Sequence, residues 1–558
     1  MRRIVRFAAA LAAVVGLGGC ASLPTSGAIH TVTPEVPEEY SVDVLAQGPQ
    51  EGQTAREVVE GFLSAAAYGV PDEFSVARTY LSDRAAEAWL PLQTVYVYSA
   101  ADEPVYSVRD DGGIDVTVQT VATVDEDGRY TVESQNHTAQ FSLVRGSDGQ
   151  WRISTLSDEL LISDLAFEQT FAQSQLQFVS ADATTLVPDV RWYPQSDRAQ
   201  RLVEGLLEGP SGWLAPGVIT AFPEGTTLGK GGVTVDGNVV RVDLSATAGE
   251  ATDEELPYML AQLHATLASL TDVTIVEVSI DGEQLTGVDP AQDFTLPQSV
   301  SAPLMLQGNV LVKWTGSELQ VVDDSAAFQD SEPRYPTVPY AESSAPVVVV
   351  SGGDTLRTVA GTDTPAQVLY EAPDLAVPSY DKYDWVWTSP GENTGQLVVA
   401  SVTAGVGTVS STWLDGRTVD AVAVSPGGDQ VAVVSHQGSS YHLDVAVIVR
   451  DRAGTPVSLG EPIEPATSLT GVADVAWVDS ATLAVLGSEL ADPSNRLYIV
   501  PIGGPIKSRP QLDGVVSLTS NRSERSILAA TDDGRLFQRT GSGWREVSDT
   551  VRDPAYSG

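Results

Sequence analysis

Cys20 is the single cysteine of the chain, and it directly follows Leu17-Gly18-Gly19. A leucine three positions upstream and small residues before the cut make this a bacterial lipobox, with Leu17, Gly18 and Gly19 as the recognition residues of signal peptidase II and Cys20 as the site of lipid attachment. Ahead of it, Arg2, Arg3 and Arg6 precede an apolar run from Phe7 to Leu17, the layout of a secretory signal. That run falls well short of the roughly 20 residues a helix needs to cross a bilayer, and no other stretch qualifies. With no second cysteine, an intramolecular disulfide is impossible, so the exported chain must fold without that staple. Acyl chains contribute about 0.8 kcal/mol per buried methylene, so the two or three chains of a bacterial lipoprotein hold it where one would not. The expected location is the extracytoplasmic face of the cell membrane, lipid-anchored; the alternative is an ordinary signal peptide with a chance cysteine.

Other residues that could do chemistry lose that role on closer reading. The five histidines, His30, His137, His264, His436 and His442, are spread along the chain. His436 and His442 flank a Gly438-Ser439-Ser440 turn and could face one another, but they read as solvent-exposed loop residues without cysteine or carboxylate ligands nearby, so no metal is expected. Gly225 to Gly231 resembles a phosphate-binding loop superficially, yet has three residues between glycines instead of four and Gly231 where Ser or Thr would be needed; it reads as a turn. Ser379-Tyr380-Asp381-Lys382 has S-x-x-K spacing, but Pro378 and the adjoining strands suit a loop between strands. Acidic clusters such as Asp323-Asp324 and Asp253-Glu254-Glu255 are explained by turns and helix starts. No catalytic residue, no cofactor and no enzyme activity is expected.

Against 31 Lys and Arg stand 74 Asp and Glu, a formal charge of -43, which excludes a nucleic-acid partner because phosphate neutralisation needs clustered cations. With 42% hydrophobic residues over 558, the chain is globular and long enough for two to four cored units.

The elements follow in order. Residues 20–53 are a Pro/Ser/Thr/Gly tether behind the signal at 1–19. Thr54-Ala55-Arg56-Glu57 is a capping box, and Val58, Val59, Phe62, Leu63 and Ala66 recur behind it at helical spacing. A second helix is expected over 75–90, then short strands with Asp/Gly-rich turns ending in Asp148-Gly149-Gln150-Trp151-Arg152-Ile153, which makes 54–170 α+β. In the region 174–297 a strand over 185–193 leads to a helix that Asp197 can cap, with Gln200 at its third position, until Gly209-Pro210 stops it. A hairpin over 233–244 turns at Asp236-Gly237, and a helix over 257–270 precedes a strand over 274–280; this alternation suits a two-layer α/β sandwich. Pro290, Pro297 and Pro303 then mark an exposed linker, open to protease between 289 and 303. From 301 to 558 helical periodicity vanishes and strand phrases such as Val419 to Ser435 recur roughly every 40 to 50 residues, the period of four-stranded propeller blades, of which five to seven fit. A pair of β-sandwiches is the alternative.

Several of these segments resemble known families. The helix order and the closing strand at 148–153 are similar to the nuclear-transport-factor-2-like (NTF2-like) superfamily. Leu206-Leu207-Glu208-Gly209-Pro210, the stretch Thr220 to Thr226, Val242-Asp243-Leu244-Ser245 and Val278 to Gly282 are similar to the successive signatures of a GerMN domain. Together with the lipobox, Cys20 to Gly27 and the β-rich tail, they make the chain resemble the LpqB family of actinobacterial lipoproteins along nearly its whole length. The fold class is thus multi-domain: an NTF2-like α+β domain, a GerMN α/β sandwich and a C-terminal β-propeller. The resemblance also implies a non-catalytic accessory role beside the MtrA/MtrB two-component system in the cell envelope, with the extracytoplasmic domain of the sensor histidine kinase as partner.

The rival expectation is a protein that binds or modifies cell-wall carbohydrate, which clustered carboxylates and exposed tryptophans around one propeller face would favour. Trp385, Trp387 and Trp477 fall within expected strands and are assigned to core packing, leaving Trp413 and Trp544 open. Because the anchor rests on one thiol, Cys20→Ala should abolish incorporation of labelled fatty acid and leave the protein held by an uncleaved signal or lost from the membrane fraction; undiminished acyl labelling of the variant would refute the assignment.

Overall fold

The computed structural model describes residues 47–558 apart from 272, 293, 323–331, 362–364 and 392–394. The signal segment, Leu17, Gly18, Gly19, Cys20 and Asp323-Asp324 lie outside the described residues. The N-terminal region opens with helix α1 (Ala55–Ala67), whose capping box is formed as expected: Thr54 N donates to Glu57 Oε2 at 2.7 Å while Thr54 Oγ1 accepts from Glu57 N at 3.3 Å. Its buried face, Val58, Val59, Phe62, Ala65 and Ala66, packs with Trp89 and Phe141. The single helix expected over 75–90 is broken into α2 (Ser75–Arg78) and α3 (Asp83–Ala88). Between them, Tyr80 O accepts from Ile153 N at 3.0 Å and Ser82 N donates to Ile153 O at 2.8 Å, so pairing with a strand displaces the helical bonds.

That strand belongs to a sheet formed by β1 (Thr94–Tyr98), β2 (Val105–Val108), β3 (Ile114–Asp125), β4 (Tyr130–Val132), β5 (Asn136–Arg145), β6 (Trp151–Thr155) and β7 (Leu160–Ser163), in the order β6-β5-β3-β1-β7 with β2 and β4 paired to β3. β3 alternates buried and outward residues over its length, as a strand with one face on a core should. The short helix α4 (Asp164–Thr170) ends where β8 (Phe171–Ser180) begins, without a linker.

β8 pairs antiparallel with β9 (Leu186–Pro194), and β10 (Val218–Ile219) adds to the far edge of β8. Helices α5 (Arg198–Glu208) and α6 (Leu256–Leu267) pack against this sheet and a second one in the order β11 (Leu228–Asp236), β12 (Val239–Leu244), β13 (Ile275–Ile280), β14 (Glu283–Gln284). The Asp-Gly turn is present, with Gly237 at φ 61. Asp197 does not cap α5 through its side chain: it adopts a left-handed φ of 53, and its carbonyl accepts from Arg201 N instead.

The remainder is a β-propeller of six four-stranded antiparallel sheets. Its first blade holds Leu304–Gln307, Val310–Trp314 and Leu319–Val321, and the strand Arg552–Ala555 completes it by pairing with Leu304–Gln307. Trp314, Trp385, Trp387 and Trp477 are buried between strands, as anticipated for the latter three. Trp413 and Trp544 are half-buried, their ring N–H groups donating to Gly460 O at 3.0 Å and Pro510 O at 2.9 Å.

The segment 289–303, expected as an exposed linker, is tied down at both ends. Ala291 N donates to Pro257 O, Thr295 N to Thr184 O and Val300 N to Ser557 Oγ, while Pro297 O accepts from Arg522 and Gln298 N donates to Glu342. Residues Ala46–Gly558 form one compact unit. Trp192 of β9 contributes most visibly to this: its ring packs 5.0 Å from Phe167 and 5.8 Å from Tyr130 in the N-terminal core, and its Nε1–H donates to Gly503 O of the propeller at 2.9 Å. Trp192→Ala should lower stability by about 3–5 kcal/mol through the cavity it leaves. It should also make 289–303 sensitive to limited proteolysis, while the wild-type segment resists; equal cleavage in both proteins would show that Trp192 does not hold the regions together.

Candidate functional site

The turn between β8 and β9 reaches the propeller and forms a polar latch there. Asp182 at its tip accepts from Ser180 Oγ at 2.6 Å, Thr184 Oγ1 at 2.7 Å and the Tyr383 hydroxyl. Lys382 Nζ donates to Thr184 Oγ1 at 2.8 Å and stands 3.6 Å from the Asp182 carboxylate. Beside it, Thr185 Oγ1 donates to the buried Asp429 Oδ2 at 2.8 Å. On the propeller side the loop is organised by Asp381, wholly buried, which accepts from Tyr383 N at 2.9 Å, Trp385 N at 3.0 Å, Trp387 Nε1 at 3.1 Å and Arg450 Nη2 at 2.7 Å. The S-x-x-K stretch therefore serves structure: Ser379 Oγ accepts from Val424 N, Asp381 shapes the loop, and Lys382 makes an inter-region ion pair.

The electrostatics differ sharply within a few ångströms. Burial alone would raise the Asp182 carboxyl, but the hydroxyls of Ser180, Tyr383 and Thr184, with Lys382, hold it well below the usual carboxylate range. Asp429 has fewer donors, and burial pushes it up to about 6. Below the latch, the hairpin-facing surface is close-packed: a Cβ on Gly217 would lie 2.2 Å from Val447 Cγ2 and 3.2 Å from Ile448 O, so only glycine lets the two backbones approach.

The remaining sequence candidates also resolve into structural bonds. Asp243 joins the GerMN-like motifs: its Oδ2 accepts from Gly231 N at 2.8 Å, and its Oδ1 accepts from Ser279 Oγ at 2.8 Å and Gly282 N at 2.9 Å. Those bonds hold the Asp243 carboxyl below its ordinary pKa. Gly229 and Gly231 thus lie in strand β11 against Asp243, not in a simple turn as expected, and a Cβ on either would come within 3 Å of that side chain. Asp253-Glu254-Glu255 precedes α6, where Glu255 N donates to Thr252 Oγ1 and Thr252 N to Glu255 Oε2. His436 and His442 are not loop residues but half-buried strand residues, each beside a carboxylate: His436 Nδ1 is 2.7 Å from Asp420 Oδ2, and His442 Nδ1 is 3.6 Å from Glu464 Oε1. Because His442 is paired with Ser435 and His436 with Tyr441, the two imidazoles project to opposite faces of the hairpin and share no ligand position. His137 stacks on Tyr96 at 3.6 Å and approaches Glu159 at 3.1 Å. Among the described residues, no group of three or more His, Cys, Asp or Glu is placed to hold a metal ion.

Sequence reasoning missed the propeller's central channel, which is assembled from the inner strands of all six blades. It contains a cavity of about 200 Å³, bordered by a wider hollow of about 830 Å³ with which it shares Arg334 and Tyr335 as lining. At this neck Asp553 Oδ2 accepts from Arg334 Nε at 2.8 Å and Arg552 Nη1 at 3.0 Å, joining the second blade to the strand that completes the first. Spacing could not have found this cluster, since Arg334 and Asp553 are 219 positions apart. Left-handed backbone at Tyr335, Arg522 and Asp553 was the other hidden signal.

Family comparison agrees with this architecture. Residues 48–168 match the model for the N-terminal domain of lipoprotein LpqB, 309–557 the LpqB β-propeller domain, and 175–286 a sporulation and spore germination domain, Germane. The chain belongs to the LpqB lipoprotein family. Its similarity to curated LpqB lipoproteins is 27% identity to that of Streptomyces avermitilis, covering 99% of both chains, and 28% to that of Thermobifida fusca, covering 88% of both. Among solved structures, the first GerMN domain of the sporulation protein GerM from Bacillus subtilis matches at 21% identity over 22% of this chain and 96% of that one, TM-score 0.19. Hydrazine synthase of Kuenenia stuttgartiensis matches at 15% identity over 45% and 79%, TM-score 0.31. Scores this low leave the family models and the full-length LpqB relatives as the basis of the assignment.

The latch of this LpqB protein carries a pH dependence whose sign follows from Asp429. Its folded value of about 6 lies above an unfolded one near 3.8, so the folded state binds the extra proton, and stability is lost as pH rises from about 4 to about 6. Asp429→Asn removes that loss, a difference on the order of 3 kcal/mol. Subtracting wild-type from variant unfolding free energies at pH 4, 5, 6 and 7.5 should give a difference that moves in favour of the variant up to pH 6 and is then flat; a pH-independent difference would contradict the assignment.

Proposed function

We propose that this LpqB protein is an extracytoplasmic, non-catalytic binding protein, anchored to the membrane through lipid on Cys20. In this reading it acts as an accessory to the extracytoplasmic domain of an MtrB-like sensor histidine kinase in cell-envelope homeostasis. Membership of a lipoprotein family supports the anchor, and no helix among the described residues is long and apolar enough to cross a membrane. The observation that carries the non-catalytic reading is the employment of the candidate chemistry. Asp243, Asp381, Asp429 and Lys382 are each engaged by structural partners that leave no nucleophile and base side by side. What the molecule offers instead is surface, in exposed propeller turns such as that at Leu490.

The wall-carbohydrate reading gains no specific support, because Trp314, Trp385, Trp387 and Trp477 are buried and Trp413 and Trp544 half-buried, with the ring N–H groups of Trp387, Trp413, Trp477 and Trp544 bonded. The test is photo-crosslinking in intact cells from full-length lipidated protein, with the crosslinker placed at Leu490, a propeller loop residue 88% exposed. Covalent capture of the sensor kinase is expected; recovery of glycan alone would overturn the proposal in favour of wall binding.

A further inference from the structure

We propose that the propeller channel is a binding site for one small anion, a carboxylate or phosphate group, held by the Arg522 guanidinium. The cavity of about 200 Å³ is of ligand size, since an engineered cavity of about 150 Å³ accommodates benzene. What distinguishes it from a packing defect is the polarity of its wall and the state of each charged group on it.

The two aspartates of the wall are already satisfied. Asp553 is held by two guanidinium groups, those of Arg334 and Arg552. Asp474, almost fully buried, accepts from Val475 N at 2.9 Å through Oδ1 and from Leu518 N at 2.8 Å through Oδ2. Burial also pushes Asp474 up to about 7, which reduces its repulsion of an incoming anion near neutral pH. The cation is in the opposite condition. Arg522 is half-buried and lines the same cavity, donates to Pro297 O and to the Tyr340 hydroxyl, and has no carboxylate within ion-pair distance among the described residues. In a chain of formal charge -43, an arginine left without an acid partner inside a channel is conspicuous.

One further feature points the same way. Arg522 also stands at φ 55, and two other wall residues, Tyr335 and Asp553, at 50 and 49. Such backbone costs on the order of 1–3 kcal/mol per residue and persists where the surroundings enforce a side-chain position. An anion entering the cavity meets a planar guanidinium with donors to spare.

The experiment uses the full-length protein in detergent, titrated calorimetrically with inorganic phosphate and, separately, with acetate, against sodium chloride of equal ionic strength. One-site binding of at least one of the two anions beyond the chloride baseline is expected; the tighter of them identifies phosphoryl or carboxylate chemistry. Arg522→Gln should raise Kd at least tenfold, with Arg522→Lys intermediate. Should the Gln variant fail to fold by circular dichroism, Arg522→Lys reads the same site, and its Kd should rise severalfold. Heats indistinguishable from chloride for both anions, or an unchanged Kd in the folded variant tested, would overturn the proposal.

Discussion

Strand β9 carries the molecule, because every residue from Val187 to Pro194 is buried although the strand contains an aspartate, an arginine and a tryptophan. A strand of that composition can be buried on both faces only if its charged groups find partners, and they do, although Arg191 Nε and the Tyr193 hydroxyl stay without one. Asp189 accepts from Ser211 N, Ser211 Oγ and Arg191 Nη2; Arg191, wholly buried, donates through Nη1 to Asp127 O in the N-terminal region. Trp192 adds a ring to the N-terminal core and a hydrogen bond to the propeller, and Tyr193 turns into the core between α5 and the sheets. One short run therefore touches all three regions. Losing any of its partners would leave a buried charge or an unfilled volume, and that cost is what resists separation of the regions.

The same accounting runs through the acidic surface. A chain with so many carboxylates must either leave them in water or equip each buried one with donors. Asp381 has four and Asp243 three, and both fix loops that would otherwise have no reason to adopt one geometry. Asp429, Asp444 and Asp474 have fewer, and burial raises all three. For a protein read as a presenter of surfaces, this arrangement is useful: the latch and the channel neck fix the relative placement of loops that a partner would meet, without a catalytic demand on any of the groups involved.

Much of the local structure was legible. The capping box at Thr54, the apolar stripe behind it, the Asp236-Gly237 hairpin and the recurring blade phrases depend on residues within a few positions of one another, so spacing sufficed to place them. The errors came where distant chain intervened. The helix over 75–90 broke because Ile153 supplied better partners for Tyr80 and Ser82; Asp197 lost its capping role to a left-handed turn; and Pro-rich 289–303 proved to be stitched to Thr184, Glu342 and Ser557. His436 and His442 were read as exposed loop residues because a Gly-Ser-Ser turn lies between them, while Asp420 comes from the neighbouring strand and Glu464 from a segment between strands.

The sequence by itself determined the lone cysteine, the fold class, the family and the large excess of acid over base, since all of these reside in composition, short periodicity or contiguous motifs. Only the tertiary structure decided the number of blades, the docking of the β8–β9 turn on the propeller, and the channel with its satisfied acids and unpaired arginine. The reason is range. Hydrogen bonds and ion pairs between groups 200 positions apart leave no trace in local spacing, and whether a buried Asp or Arg is partnered is settled by which segments the fold brings within 3 Å of it.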